Sequence, residues 1–365
     1  MNIAILTRTL DAGGTERAAA SLANEFSRSG HAVTVLCLIE SDPFYSTDAS
    51  VCVRYLSEDI SGKNHRADPS ALLRRMTALK RFLRTQPPDV LVCMSWSTTI
   101  YGIVCTKGIS TLCIGTERAN PYVLNANCLT TFLRRFSAKR CDGFVCQTER
   151  ARTFYPRAAQ RRIAVIPNGI FNPLVYNTSV PKERERVITA CGRLDRNKGF
   201  DVLLNAFAVV RSECPDYTLR IFGEGECRGE LTAQTERMSI SDFVDLPGAD
   251  PEAILHIARS SVFVLSSRSE GMPNALIEAM AAGVPCVSTR CDMGPQELIR
   301  DGVSGLLVPV DDAQSMAAAI LRILRSPELS NSLSENALRI RTTHDPRAIS
   351  ARWTQYFESL LRRNS

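Results

Sequence analysis

Residues 261–289 read SVFVLSSRSEGMPNALIEAMAAGVPCVST, and this stretch sets the fold class. An apolar, β-branched run at 261–267 closes on two serines. A loop holding Gly271, Pro273 and Asn274 follows, and a helical pattern then leads through Ala281-Ala282-Gly283 to a second apolar run at 284–289. Strand, helix and strand in such short order form a βαβ unit, whose two strands are parallel. The runs are near-continuous rather than alternating, as expected of strands covered on both faces.

The same alternation extends both ways along the chain. Downstream of residue 185, strands are expected at 186–192, 217–223, 243–248 and 305–310. In the first half they are expected at 2–7, 32–38, 51–56, 90–94, 111–116, 143–147 and 163–167. The helical stretch ERAAASLANEFSRSG ends on Gly30 at a C-cap position. Residues 170–184 carry Pro173 and Pro181 and no clear period, which marks a boundary. The expected organisation is α/β throughout: one domain over 1–170, a second over 171–345, and a terminal helix over 346–365.

Composition agrees with this reading. A chain of 365 residues predicts two domains at roughly 150 residues each. Hydrophobic residues are 44% and charged residues 22%, ordinary for globular proteins and unlike disordered or fibrous ones. No apolar run approaches the ~20 residues that span a bilayer. MNIAILTR reads as a first strand rather than a secretory leader. The 13 cysteines are odd in number and scattered, without Cys-x-x-Cys, and read as reduced core thiols of a cytoplasmic protein. His31, His65, His256 and His344 lie far apart, and no Asp-x-Asp occurs, so no metal site is expected.

The net charge of +6 is unevenly spread. Residues 1–170 hold 22 Lys+Arg against 13 Asp+Glu, whereas the remainder holds 22 against 25. Two basic clusters interleave with apolar residues: Arg74, Arg75, Lys80, Arg81 and Arg84 in one, Arg134, Arg135, Lys139 and Arg140 in the other. The plain reading is the solvated face of packed helices. The sharper reading is contact with anionic lipid, at about 1 kcal/mol per basic residue near the surface. No nucleic-acid motif accompanies either cluster, so nucleic acid is not an expected partner.

Three strand-end loops carry candidate chemistry, because open α/β sheets bind ligands beyond the carboxyl ends of their strands. After the first strand, Asp11-Ala12-Gly13-Gly14-Thr15-Glu16-Arg17 opens a helix, where Gly14 lets the backbone approach an anion; a simple turn explains it equally well. In Gly192-Arg193-Leu194-Asp195-Arg196-Asn197-Lys198-Gly199, two cations flank a turn and suit a diphosphate leaving group, although both could simply face water. The loop 266–278 places Glu270 and Glu278 around one crevice at a helix N-terminus. A plain acidic first turn explains Glu278 but not Gly271-Met272-Pro273-Asn274.

These elements occur together with Pro167-Asn168-Gly169, Ala281-Ala282-Gly283-Val284-Pro285 and Gly302-Val303-Ser304-Gly305-Leu306-Leu307-Val308. In that order they resemble the retaining glycosyltransferases of family 4, with the GT-B fold. Gly13-Gly14-Thr15-Glu16-Arg17 and Thr116-Glu117-Arg118-Ala119-Asn120-Pro121 resemble the bacterial surface-polysaccharide, amylovoran-type branch. The resemblance implies two Rossmann-like domains with parallel sheets facing a cleft, an acceptor-binding first domain, a donor-binding second domain, and a last helix crossing back to the first. It implies a nucleotide-sugar donor, a UDP-sugar before others, and no metal. Arg193 and Lys198 would hold the diphosphate, Glu278 the ribose, and Glu270 the donor sugar. Gly14, Gly271, Met272, Asn274 and Ala275 would close around the donor, and Gly223 and Pro247 would line the base. Some relatives place a histidine near the sugar; here Glu117 and Arg118 occupy that strand-end region as acceptor-side candidates. The implied acceptor is a polyprenyl-diphosphate-linked saccharide, at the cytoplasmic face of the cell membrane.

Two other readings share parts of this pattern. A nucleotide-sugar epimerase of the same fold would carry several cleft histidines, which four scattered ones do not supply. A non-catalytic nucleotide-sugar binding module would have no need of Arg193, Lys198, Glu270 and Glu278 together. A Rossmann dehydrogenase fails outright, since Gly223-Glu224-Gly225-Glu226-Cys227-Arg228 lacks the last glycine of Gly-x-Gly-x-x-Gly.

Overall fold

A computed structural model describes residues 1–11, 13–57, 69–123 and 127–364; Ala12 of the first glycine loop and His65 fall outside them. The chain divides into two compact units, Met1–Gly169 with Pro346–Ser365, and Ile170–Asp345.

The first unit is built on seven strands: β1 (Asn2–Thr7), β2 (Ala32–Cys37), β3 (Cys52–Tyr55), β4 (Val90–Cys93), β5 (Leu112–Glu117), β6 (Gly143–Cys146) and β7 (Ile163–Val165). All pair in parallel, in the order β3-β2-β1-β4-β5-β6-β7. The helix Gly14–Arg28 buries Ala19, Leu22, Ala23 and Phe26, and beyond its C-cap Ser29 the chain turns at Gly30 with φ +82. Helices Pro69–Thr85, Trp96–Cys105 and Cys128–Arg140 connect β3 through β6. These crossovers all advance in one direction across the sheet, so right-handed connections put the three helices on one face. The middle helix packs against both of the others.

The last helix, Pro346–Asn364, completes this unit. It packs on Gly14–Arg28, with Trp353 and Phe357 fully buried and the Phe357 ring 5.8 Å from Phe26. The Tyr356 hydroxyl accepts from the Phe144 N–H (2.9 Å) and donates to the Arg162 carbonyl (2.9 Å), fastening the helix to the β6 end of the sheet.

The second unit has six parallel strands: β8 (Glu185–Cys191), β9 (Thr218–Phe222), β10 (Val244–Gly248), β11 (Ser260–Leu265), β12 (Cys286–Thr289) and β13 (Leu306–Val308), in the order β10-β9-β8-β11-β12-β13. One face of the sheet packs Ile188, Leu219 and Val262 against Leu203 and Phe207 of one helix and Ile320 of another. The other packs Phe263 and Leu265 against Leu276 and Ile277. The order reverses between β8 and β11, which makes their carboxyl ends the switch point.

All thirteen expected strands are present, and the α/β, two-sheet reading holds. β12 starts two residues later than expected, because Pro285 has no N–H for the ladder; its carbonyl accepts from Phe263 instead (2.9 Å). β13 stops at Val308, before Pro309. All thirteen cysteines are free, and most are buried.

Candidate functional site

In the second unit the chemistry gathers at the switch point. β8 ends in the turn 192–199, and the adjacent β11 ends in the loop 266–273. Asp195 caps the turn, its Oδ1 accepting from the Lys198 N–H (3.1 Å). Gly199 sits in the left-handed region at φ +63, and a Cβ there would lie 2.2 Å from the Ser266 carbonyl oxygen. Only glycine permits that approach of turn to loop.

Across this gap the Lys198 Nζ meets Glu270 Oε1 at 2.6 Å, and both side chains are largely buried. The Ser267 hydroxyl donates to the same oxygen at 2.6 Å. Burial pushes the Lys198 pKa down, but the adjacent Glu270 carboxylate outweighs it, and the net shift is upward. The result is an ammonium that stays charged at neutral pH, just beyond a strand end. Arg193 behaves differently: its side chain is 69% exposed and its Nε donates to Asp195 Oδ2 (2.6 Å). Asp195 therefore ties the Arg193 guanidinium to the Lys198 backbone, with the Lys198 side chain largely buried and Arg193 at the rim.

Glu278 lies inside the helix Asn274–Ala281 and is 5% exposed. The helix begins at Asn274, with Pro273 as an N-cap that supplies no side-chain hydrogen bond. The positive end of the helix dipole therefore lies at Asn274, beside the β11 loop. Met272 and Ala275 turn their side chains into the apolar cluster beneath, so backbone is what they can offer a ligand. Gly271 and Asn274 are half-buried.

The β9 and β10 ends form a neighbouring pair of loops. Gly223 has φ +142, and a Cβ there would meet the Gly192 carbonyl oxygen at 1.9 Å. The Gly223 N–H donates to the Gly248 carbonyl (2.7 Å). Arg228 spans both loops: it pairs with Glu224 (2.5 Å) and donates to the Leu246 carbonyl (3.0 Å). Pro247 is exposed beside this tie. Arg228 and Ser267 were not among the residues singled out from the sequence. Their only signal was proximity in sequence to Gly223-Glu224-Gly225 and Glu270.

In the first unit, Gly14 is exposed as the first residue of its helix, with Gly13 extended before it. Glu117 ends β5 with its carboxylate turned inward. Oε2 accepts from the Tyr155 hydroxyl (3.0 Å) and lies 3.7 Å from Arg134 Nε. Burial raises its pKa against the pull of those two groups. Arg118 donates to Asn168 Oδ1 (2.8 Å), and burial lowers its pKa.

The basic clusters separate in the structure. Arg134 belongs to the interior, through Glu117, whereas Arg135, Lys139 and Arg140 are exposed. Beside them stand Leu129 (64% exposed) and Phe132 (62% exposed), with Phe132 stacked on Phe136 at 6.0 Å. On the helix Pro69–Thr85, Leu73 is 66% exposed next to Arg74. Bulky apolar groups are thus exposed among cations on the same helical layer.

Comparison with known proteins places this arrangement. Residues 185–326 match the family described as Glycosyl transferases group 1, and residues 12–171 the one described as Glycosyltransferase Family 4. Each unit thus matches a glycosyltransferase family, and the fold is GT-B. An exopolysaccharide phosphotransferase of Streptomyces coelicolor is 31% identical over 98% of this chain, which spans 41% of that protein's length. An undecaprenol-diphosphate-linked N-acetylgalactosamine transferase of Campylobacter jejuni, named for an α-1,4 linkage, is 28% identical over 92% of each chain. The pneumococcal O-GlcNAc transferase, solved with UDP and GlcNAc, superposes with a TM-score of 0.80 at 15% identity over 99% of both chains.

Proposed function

We propose that this chain moves a sugar, with retention of anomeric configuration and without a metal, from a nucleotide-sugar to a polyprenyl-diphosphate-linked saccharide in bacterial surface-polysaccharide or glycan assembly. The observation that carries the reading is the Lys198–Glu270 pair at the switch point of the second unit, beside the N-terminus of the helix Asn274–Ala281. Lys198 and Arg193 would neutralise the donor diphosphate as it leaves, the charge developing where cations are already fixed. Glu270 binds Lys198 and Ser267 through Oε1, so Oε2 is the oxygen for a donor-sugar hydroxyl. Glu278 would accept from the ribose, and the Gly223 and Pro247 loops would flank the base. The bond from the anomeric carbon to the diphosphate breaks, a bond to the acceptor hydroxyl forms on the same face, and the hydroxyl proton passes to the departing phosphate oxygen. The transferred group is a hexose or an N-acetylhexosamine.

The acceptor in the Campylobacter relative's name supports a lipid-linked substrate, and UDP in the pneumococcal neighbour makes UDP the first donor nucleotide to try. The exposed Leu129, Phe132, Arg135 and Lys139 support reversible attachment to the anionic cytoplasmic face of the cell membrane. Among the described residues no helix is long and apolar enough to cross it. Thermal-shift titration with UDP, GDP and ADP is the direct test: a ligand at 100 times its Kd adds about 2.7 kcal/mol. Failure of all three to raise the melting temperature would reject the reading. Sedimentation with vesicles should show salt-sensitive binding to anionic lipid only, weakened when Arg135, Lys139 and Arg140 become glutamine.

A further inference from the structure

We propose that Arg268 is a positioning residue that holds Lys198 and Glu270 in register without touching substrate; the catalytic half of the inference rests on the function proposed above. Arg268 lies between Ser267 and Glu270 on the β11 loop. Its backbone N–H donates to the Asn197 carbonyl (2.7 Å), the residue before Lys198. Its guanidinium then leaves the site and turns to the outer side of the turn. Nη1 donates to the Arg196 carbonyl and to Asp201 Oδ1 (3.0 Å), Nη2 to Asp201 Oδ2 (2.7 Å), and Nε to Asp311 Oδ1 (2.7 Å).

Three strand-end segments are thereby tied to one planar group. Arg196 and Asp201 flank the β8 turn, Arg268 stands on the β11 loop, and Asp311 follows β13 with its backbone at φ +58. Apart from the Lys198–Glu270 ion pair, the same two segments are joined by neutral contacts, Ser266 Oγ to the Lys198 carbonyl (2.8 Å) and Asn197 Nδ2 to the Ser269 carbonyl (2.7 Å). Beside that ion pair Arg268 brings a second charged tie to the joint, and its fork satisfies two carboxylates and a carbonyl at fixed angles. Burial raises the Asp201 pKa, but the Arg268 bonds outweigh it and leave it lowered, so this anchor stays ionised at neutral pH. The outer side of the joint opens on a pocket of about 880 Å³ that Asp201, Phe200, Gln234 and Arg237 also line. Small cations can therefore reach the place of the guanidinium.

The first test does not depend on catalysis. The full chain without donor is acetylated by a limiting dose of acetic anhydride, and Lys198 is followed by peptide mass spectrometry. Arg268→Ala is expected to speed Lys198 acetylation about fivefold, because its pairing with Glu270 loosens, while exposed Lys182 is unchanged. An unchanged Lys198 rate overturns the inference. Should Arg268→Ala not fold, Asp311→Asn removes the Nε anchor alone, and a rise of roughly twofold is expected; no rise again overturns it.

The second test is steady-state transfer from a UDP-sugar. Arg268→Ala should lower kcat roughly tenfold or more with donor KM within about threefold, as loss of alignment without loss of a substrate contact predicts. Arg268→Lys should stay low, since an ammonium cannot span Asp201 and the Arg196 carbonyl. Guanidinium at about 50 mM should restore part of the Arg268→Ala turnover and none of that of Lys198→Ala. Wild-type turnover in Arg268→Ala overturns the inference. If the wild-type chain transfers no sugar, the function reading fails and the acetylation result decides on Arg268 by itself.

Discussion

At the scale of single residues, Lys198 concentrates the most consequence. It is the largely buried cation of the proposed donor site, and truncating it to alanine should cost on the order of 2.7–4 kcal/mol of transition-state stabilisation, read as a fall of about 10²–10³ in kcat. Arg193→Ala should cost less, because an exposed cation is screened by water and already shared with Asp195. The pH dependence follows from the upward shift of Lys198. Its pairing is complete below the ordinary lysine pKa and is lost only as pH rises through the higher folded value. Glu270→Gln removes the group that outweighs burial, so the ammonium should lose its proton at lower pH than in the wild type. Calorimetric affinity for UDP across pH 7–10 should therefore fall earlier in that variant. Identical profiles would show that Glu270 does not hold the Lys198 charge. Glu278→Ala should weaken UDP binding at every pH, and unchanged affinity would remove Glu278 from the ribose.

At the scale of elements, the close approach of the 192–199 turn to the 266–273 loop is the feature to challenge. Gly199→Ala forces a methyl group onto the Ser266 carbonyl and a side chain into the left-handed region. It should destabilise the second unit by more than about 1 kcal/mol and reduce UDP affinity together, measured by thermal unfolding and calorimetry. Elements were also where sequence was most readable. Buried parallel strands write themselves as unbroken apolar runs, so even short β13 is visible, and the observed edges lie within about two residues of the expected ones, Pro285 and Pro309 setting two of them. The meeting of Lys198 with Glu270 was not readable in the same way. The residues are 72 apart, and they touch only because β8 and β11 are neighbours in the strand order. Nor could spacing distinguish Arg134, which turns inward to Glu117, from Arg135, which faces out, since both sit in one basic run. A carboxylate at a strand end reads as a site residue whether it faces solvent or, like Glu117, a buried tyrosine. The role of Arg268 is silent in the sequence, because its partners Asp201 and Asp311 are 67 and 43 positions away.

At the scale of the molecule, the two units have separate cores and the last helix belongs to the first. Trp353→Ala should therefore cost the first unit about 3–5 kcal/mol and leave the second untouched. Scanning calorimetry should show one transition moving down while the UDP-stabilised one stays in place. Movement of both together would mean that the units unfold as one. Charge divides along similar lines: the basic excess lies within residues 1–170, the remainder being slightly acidic, so salt should loosen vesicle binding without changing UDP affinity.

The membership of Pro346–Asn364 in the first unit also sets a timetable for the ribosome. Residues 1–169 emerge first, yet Phe26 lacks its partner Phe357 until the whole second unit has been translated. At about 5–20 residues per second, that interval lasts roughly 10–40 s. Throughout it the helix Gly14–Arg28 shows the nascent polypeptide's surroundings apolar groups that the helix Pro346–Asn364 later covers. The second unit, contiguous in the chain, has no such wait. A premature stop codon or a bulky fusion within 346–364 should accordingly injure the half of the protein made first, and chaperone demand should fall on that half during synthesis.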